Sequence, residues 1–253
     1  MPRGVNTQDE GRIQGRNVVN ANSSNIVSPG IVTDGLVLYV DAGNRVSYPT
    51  SGTVFRDITD NLKNGTLEGS PTFNLENGGA LQFDGLTQQV NFGTDKLPEG
   101  DISVCAWIYP TAFNGGQGFQ IVSTKWLNPS LSDFHYGLRT DGSGNTKQNL
   151  FTTSNSNIYG TSNFFINNWY SICFTLVNGS LLTFYTNGSS DGTQSGVSRT
   201  SQSSTLFLGD GRSEGLTKYG LVGKIPQLAI YRRALTPTEV QQNFNATRSR
   251  FNI

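Results

Sequence analysis

From residue 30 onward the chain alternates short apolar runs with polar, glycine-rich breaks. Runs fall at Leu36–Val40, Ala80–Phe83, Val90–Phe92, Ile102–Tyr109, Phe119–Val122 and Phe134–Leu138. More follow at Asn149–Thr152, Trp169–Val177, Leu181–Tyr185, Thr205–Leu208 and Lys224–Tyr231. Each has strand length, and Ile102–Tyr109 carries apolar residues at both parities, so both its faces are expected to be covered. The breaks contain five Asn-Gly dipeptides (Asn64, Asn77, Asn114, Asn178, Asn187) and five Asp-Gly dipeptides (Asp34, Asp84, Asp141, Asp191, Asp210). Both dipeptides tolerate the positive φ that tight turns need. Val177-Asn178-Gly179-Ser180-Leu181 is the clearest hairpin signal. Many short strands at this spacing predict an all-β, antiparallel two-sheet sandwich or barrel.

One helix interrupts the pattern. Thr236-Pro237-Thr238-Glu239 forms a capping box with proline at the first helical position. Val240 and Phe244 lie four apart on one face, which predicts a short helix over 237–248 packed through Leu235, Val240 and Phe244.

Residues 1–29 have no aromatic residue and no sustained period. Such a segment cannot bury enough apolar area to order itself. It is expected to be an extended anchoring arm held by a neighbouring subunit or partner, through Arg3, Arg12, Ile13, Arg16, Val18 and Val19. The sandwich is then expected over 30–253.

Charge changes the picture. The 253 residues include 18 basic and 18 acidic ones, and charged residues make up only 14%. The average domain has about 25%. The surface is therefore rich in neutral amides and hydroxyls, and no electrostatic footprint for nucleic acid is visible. No run is long and apolar enough for a membrane-spanning helix, and the first residues lack the apolar core of a signal peptide. Cys105 and Cys173 each sit in a strand-like run. Two buried free thiols are expected in preference to a disulfide, since free cysteine packs as a small hydrophobe.

Five stretches carry a resemblance. GLVLYVDAGNRVSYP (35–49) and FRDITDNLKNGTLEGSPTFNLENGGALQFDGLTQQVNFG (55–93) resemble the opening of laminin-G-like, concanavalin A-like jelly-roll domains. VCAWIYP (104–110) and NNWYSICFTL (167–176) look like that family's tryptophan strands, and 223–251 looks like its closing strand and helix. The resemblance covers about 31–253 and implies one jelly-roll sandwich with a short C-terminal helix. The opening is most similar to domains of virion proteins of tailed phages, especially phages of aquatic bacteria. That likeness implies a virion structural protein assembled in the host cytoplasm, multicopy or homo-oligomeric, and attached to capsid or tail proteins by the arm. A capsid decoration or short head-fibre subunit is expected first. A baseplate or tail-tip adhesin, or a free carbohydrate-binding module, is the alternative.

The same fold hosts glycosidases, whose chemistry needs two carboxyls about 5 Å apart for retention. The six glutamates (Glu10, Glu68, Glu76, Glu99, Glu214, Glu239) form no such strand motif. Glu239 belongs to the capping box and the others are expected in turns or the arm, so no catalytic residue is assigned. His135, in Phe134-His135-Tyr136-Gly137, is expected to be a strand histidine near the surface. No cofactor is required. The resemblance makes calcium the plausible ion, with Asp41, Asp57 and Asp84 as candidate ligands; each could equally cap a turn through its own side chain. Glycans are held by aromatic faces and by amides and carboxylates that pair hydroxyls. Loop residues Phe113, Trp126, Tyr159 and Tyr219 supply the first, and Asn114, Asn157 and Asp141 the second.

Overall fold

The computed structural model describes residues 30–94, 97–113, 120–125, 133–152, 157–209 and 219–253. The arm residues Arg3, Arg12, Ile13, Arg16, Val18 and Val19 lie outside these, as do Asn114 and Trp126.

Two antiparallel sheets stack face to face. Sheet A contains β1 (Leu36–Asp41), β4 (Thr72–Asn74), β5 (Ala80–Asp84), β7 (Ile102–Pro110), β12 (Tyr170–Val177), β13 (Leu181–Thr186), β14 (Ser189–Ser195) and β16 (Val222–Tyr231). Sheet B contains β2 (Val54–Phe55), β3 (Gly65–Glu68), β6 (Gln89–Asn91), β8 (Gln120–Lys125), β9 (Phe134–Thr140), β10 (Thr146–Thr152), β11 (Ile158–Tyr159) and β15 (Leu206–Leu208). The strand order is β14-β13-β12-β7-β16-β5-β4 in sheet A, with β1 also on β16, and β11-β10-β9-β8-β15-β6-β3-β2 in sheet B. On β16, residues 222–225 pair β5 and residues 227–231 pair β1, so the two share one edge end to end. Pro226 falls in the register shift between Lys224 and Gln227, where a missing N–H is tolerated.

The core between the sheets follows from period-2 alternation. Ile102, Val104, Ala106 and Ile108 of β7 point inward with Phe134, Tyr136 and Leu138 of β9, all in one buried cluster. As expected, β7 is covered on both faces. Its outward residue Trp107 stacks between Phe244 and Phe251, at centroid distances of 5.8 and 4.1 Å.

The helix α1 (Pro237–Thr247) starts with the full capping box, and a 3-10 turn over Arg248–Phe251 follows. Val240 and Phe244 are buried on sheet A, as is Leu235 just before the helix. Arg250 then fastens the C-terminus, donating to Asp41 Oδ1 at 2.7 Å and to the carbonyls of Asn77 and Gly79.

Two polar networks cross the interior. Tyr136 donates to Gln148 Oε1 (2.7 Å), and Gln148 Nε2 donates to Asp191 Oδ2 (3.0 Å), which links sheet B to sheet A. Asp191 also accepts from Thr186, Thr161 and Ser162. Desolvation pushes its carboxyl up, but these bonds outweigh it and hold the pKa below the usual range. Elsewhere Arg199 grips Asp133 with two bonds (2.7 and 2.8 Å) and donates to the carbonyls of Pro98 and Gly100.

Several sequence expectations need correction. Cys105 and Cys173 are not free thiols. They face each other directly in the β7–β12 register, Cα atoms 4.0 Å apart, and form a disulfide. Register decides this, because directly opposed residues share a face and bring their Cβ atoms together. Asp191-Gly192 is not a turn but lies inside β14, beside the register irregularity that opposes Thr183–Tyr185. Asp84-Gly85 makes a turn that passes the chain from sheet A to sheet B rather than a hairpin. The dipeptides at Asn77, Asp141, Asn178 and Asn187 do join paired strands.

Candidate functional site

Among the described residues, several strand ends and the connections at them lie at one rim of the sandwich. β5 ends opposite Val222, β7 ends opposite Gly223, and β9 turns back into β10 at Thr140–Thr146. Backbone bonds tie the connections together: Phe164 N to Thr146 O (2.7 Å), Asn167 N to Pro110 O (2.7 Å), Thr111 N to Val222 O (2.9 Å) and Gly220 N to Gly85 O (3.2 Å). Phe113, Asp141 and Tyr219 therefore share this rim.

Their roles differ. Phe113 is half-buried against the main core. Asp141 accepts from Asn145 N (3.0 Å) and Ser143 N (2.9 Å) and pairs with Lys147 at 3.2 Å. The bond from Asn145 leads in holding its carboxyl below the usual range, despite slight desolvation. Tyr159 stands on β11 opposite Asn149, half-buried on the sheet B face. Asn157 belongs to the opposite rim, before β11, with its Oδ1 buried and unpartnered. The structure thus brings together three of the sugar-binding candidates and separates two others from them.

Sequence reasoning missed much of the rim. Leu86 is 52% exposed, Phe165 65% and Ile166 42%. They sit on turns whose backbone is fixed by the bonds above or by Asp84. They are three of ten exposed large apolar residues among the described residues, and neighbouring ones mark a binding surface where single ones are ordinary. The one available signal was the run Phe164-Phe165-Ile166 ahead of Asn167-Asn168, which exceeds what an ordinary loop needs.

Beside the rim, the outward side of sheet B carries a polar set. Leu67, Val90 and Leu208 point into the core, so Thr66, Glu68, Gln89, Asn91 and Phe207 take the other face. Glu68 closes strand β3 and is not in a turn, contrary to expectation. Its Oε1 accepts from Asn91 Nδ2 (2.9 Å), and its Oε2 accepts from Gln89 Nε2. On the same side His135 meets Phe151 edge to face, centroids 6.0 Å apart, and burial pulls its pKa down to about 3. It is the expected strand histidine, half-buried and neutral at ordinary pH.

The three aspartates named as calcium ligands are engaged by donors of the protein itself. Asp57 accepts from Tyr39 N, Thr59 N, Thr59 Oγ1 and Lys63 N, at 2.8–3.0 Å. Asp41 accepts from Gly43 N, Arg250 Nη1 and Gln227 Nε2. Asp84 accepts from Leu86, Thr87 and Gln88 N–H groups and from the Thr87 hydroxyl. Desolvation pushes its carboxyl up, but these bonds win and hold it at about 2. Among the described residues, no three or more His, Cys, Asp or Glu side chains are grouped to hold a metal ion.

The fold has known counterparts. Domain 4 of AbnA, a GH43 extracellular arabinanase from Geobacillus stearothermophilus solved with arabinotriose, superposes with TM-score 0.61 at 19% identity. The match covers 84% of this chain and 98% of that domain. The binding domain of Paraclostridial Mosquitocidal Protein 1 gives 0.61 at 15% identity, covering 84% of this chain and 52% of that one. Trypanosoma rangeli sialidase in complex with sialic acid gives 0.61 at 14%, covering 87% and 34%. The chain therefore spans about half of the second structure and a third of the third. At these identities the likeness is one of fold. No curated protein matches in sequence. A family model matches over residues 83–241, from the Asp84 turn to helix α1, and the chain belongs to the concanavalin A-like lectin/glucanases superfamily.

Proposed function

We propose that this chain is a non-enzymatic, glycan-binding structural subunit on the surface of a tailed-phage virion. The observation that carries the glycan reading is the rim, where exposed Phe165, Ile166 and Leu86 stand with Phe113 and Tyr219. Apolar and aromatic faces stack on sugar C–H surfaces, and the amides and carboxylates around them pair hydroxyls. The likeness in fold to a domain solved with arabinotriose, over 84% of this chain, supports the same chemistry. Weak binding per copy becomes strong when many copies are displayed.

The virion reading rests on the resemblance of 35–49 and 55–93, and on the polar arm that precedes the sandwich. The arm would latch the subunit to capsid or tail proteins. The Cys105–Cys173 disulfide suits a protein that works outside a reducing cytosol. The non-enzymatic reading is supported by Glu68, whose two carboxylate oxygens are both engaged by neighbouring amides.

A glycan array with the recombinant chain tests the first part. Binding is expected, with Phe165→Ser weakening it and leaving the melting temperature unchanged. Absence of binding to every neutral and acidic glycan would sink the reading. Limited proteolysis tests the second part: cutting at Arg12 or Arg16 is expected in the isolated chain and not in particles. A second reading, a free carbohydrate-binding module, is favoured by the 98% coverage of the arabinanase domain. It predicts that deleting residues 1–29 leaves every property unchanged.

A further inference from the structure

We propose that the outer face of sheet A carries a second saccharide-binding surface, a row of five side chains that takes an extended, neutral oligosaccharide. The inference rests on the reading of the chain as a glycan binder. It adds a surface and a ligand length that the rim alone does not give. The register draws the row. Thr72 of β4 opposes Gln82 of β5, Gln82 opposes Lys224 of β16, and Lys224 opposes Tyr109 of β7. Trp169 directly precedes β12, whose Tyr170 opposes Ile108, and its ring lies 5.0 Å from that of Tyr109. Leu81, Phe83, Ile108 and Ile225 belong to the inter-sheet core, so their neighbours Gln82, Lys224 and Tyr109 point outward.

Water reaches this row. Thr72 and Gln82 are exposed, and Lys224, Tyr109 and Trp169 are half-buried. Phe244 and Phe251 cover Trp107, but their cover stops short of Tyr109, two residues further along β7. Phe251 backs Trp169 at 4.6 Å and so holds that ring in place. Asn167 and Asn168 join Trp169 to exposed Phe165 and Ile166, so the row continues from the rim. Lys224 Nζ lies 5.2 Å from the Tyr109 ring centre and pairs with Glu76, which leaves the row without net charge. Among the described residues, no hydrogen-bond partner engages the Thr72 hydroxyl, the Gln82 amide, the Tyr109 hydroxyl or the Trp169 indole N–H.

Half-open rings stack on sugar C–H faces, and free hydroxyl, amide and indole groups pair sugar hydroxyls. The charge-matched row favours a neutral ligand over an anionic one. Neighbouring strands lie about 4.8 Å apart, so the five positions span roughly 19 Å. That is the reach of an oligosaccharide lying across the strands, not of a single sugar.

The test titrates the full chain with neutral arabino-, xylo- and gluco-oligosaccharides of increasing length, read by calorimetry and by NMR of side-chain amides and indoles. Affinity should rise with ligand length until the row is filled, at about four sugars. The Gln82 amide and the Trp169 indole should shift. Gln82→Ala and Tyr109→Ser should each weaken the longest ligand roughly fivefold, as loss of one hydrogen bond or one stacking face implies. Gln82 is exposed, so its variant reads binding without a folding penalty. If long ligands bind, the shifts stay at the rim and Gln82→Ala binds as wild type does, the row fails and the rim reading stands. If the row shifts and Phe165→Ser has no effect, the row stands and the rim reading fails. If no ligand of any length binds, both fail. If Tyr109→Ser instead lowers the particle mass in light scattering, the row is an interface between copies and the proposal is overturned.

Discussion

Cys105 on β7 and Cys173 on β12 face each other across one rung of sheet A and are joined by a disulfide, 68 residues apart in sequence. The bond ties two central strands in the layer between sheet A and helix α1. Closing a loop of this length in the unfolded chain contributes about 4 kcal/mol on the chain-entropy account. Reduction, or the Cys105→Ala/Cys173→Ala pair, should lower stability by about that amount, read as a lower urea midpoint. Identical midpoints with and without reductant would show that the strands gain nothing from the link. The sandwich should still fold, because the inter-sheet core does not include either sulfur.

The Arg199–Asp133 pair makes a different prediction. Both side chains are buried, and Arg199 also donates to the carbonyls of Pro98 and Gly100. Removing one partner strands the other charge, so Asp133→Asn should cost about 3–5 kcal/mol. Arg199→Met combined with Asp133→Leu should cost less than the sum of the single changes, since no charge is left uncompensated. Additive losses in denaturant titrations would contradict this account.

Acid should weaken the fold through two carboxylates far apart in the sequence. Arg233 pairs with Glu239 through two bonds (2.8 and 2.6 Å) and, against some desolvation and with help from Thr236, brings it down from 4.5 to about 2. Asp84 falls from 3.8 to about 2. A depressed carboxyl stabilises the folded state above its unfolded pKa and stops doing so as pH falls through the folded one. Stability should therefore be level near neutrality and decline from about pH 4.5 to about 2. Glu239→Gln should be less stable at pH 7 and decline less steeply across that window. An unchanged slope in a pH series of urea melts would remove Glu239 from the explanation.

What the sequence makes legible follows physical lines. The hairpin at Asn178-Gly179 and the helix opened by Thr236-Pro237-Thr238-Glu239 are written locally, and both stand where the residues place them. Strands with a buried face, such as β7, β12 and β16, show in their apolar runs. β14, with sequence SSDGTQS, shows no such run because it is an edge strand that buries little besides Asp191. The disulfide was hidden because register between β7 and β12 is a property of the assembled sheet. The rim was half-legible: Phe113, Asp141 and Tyr219 are loop residues by pattern, yet only strand order puts them at one end of the sandwich. Phe165 and Ile166 showed only as the apolar run Phe164-Phe165-Ile166, since their exposure exists only in the folded chain.

The C-terminal turn offers the last prediction. Phe251 stacks on Trp107 at 4.1 Å and lies 4.6 Å from Trp169, while Trp107 Nε1 donates to Thr247 Oγ1 at 2.9 Å. Arg250, one residue earlier, is bonded to Asp41 and to the β4–β5 connection, so the turn cannot collapse freely into a space left by the ring. A cavity that cannot close costs the most, and Phe251→Ala should lose about 3 kcal/mol. Trp107, now open to water on one face, should shift its fluorescence to longer wavelength in the folded state. Phe251→Leu should recover most of the stability because it refills the volume. An Ala variant with wild-type stability and emission would mean that the end of the chain packs elsewhere, and that sheet A is covered by α1 alone.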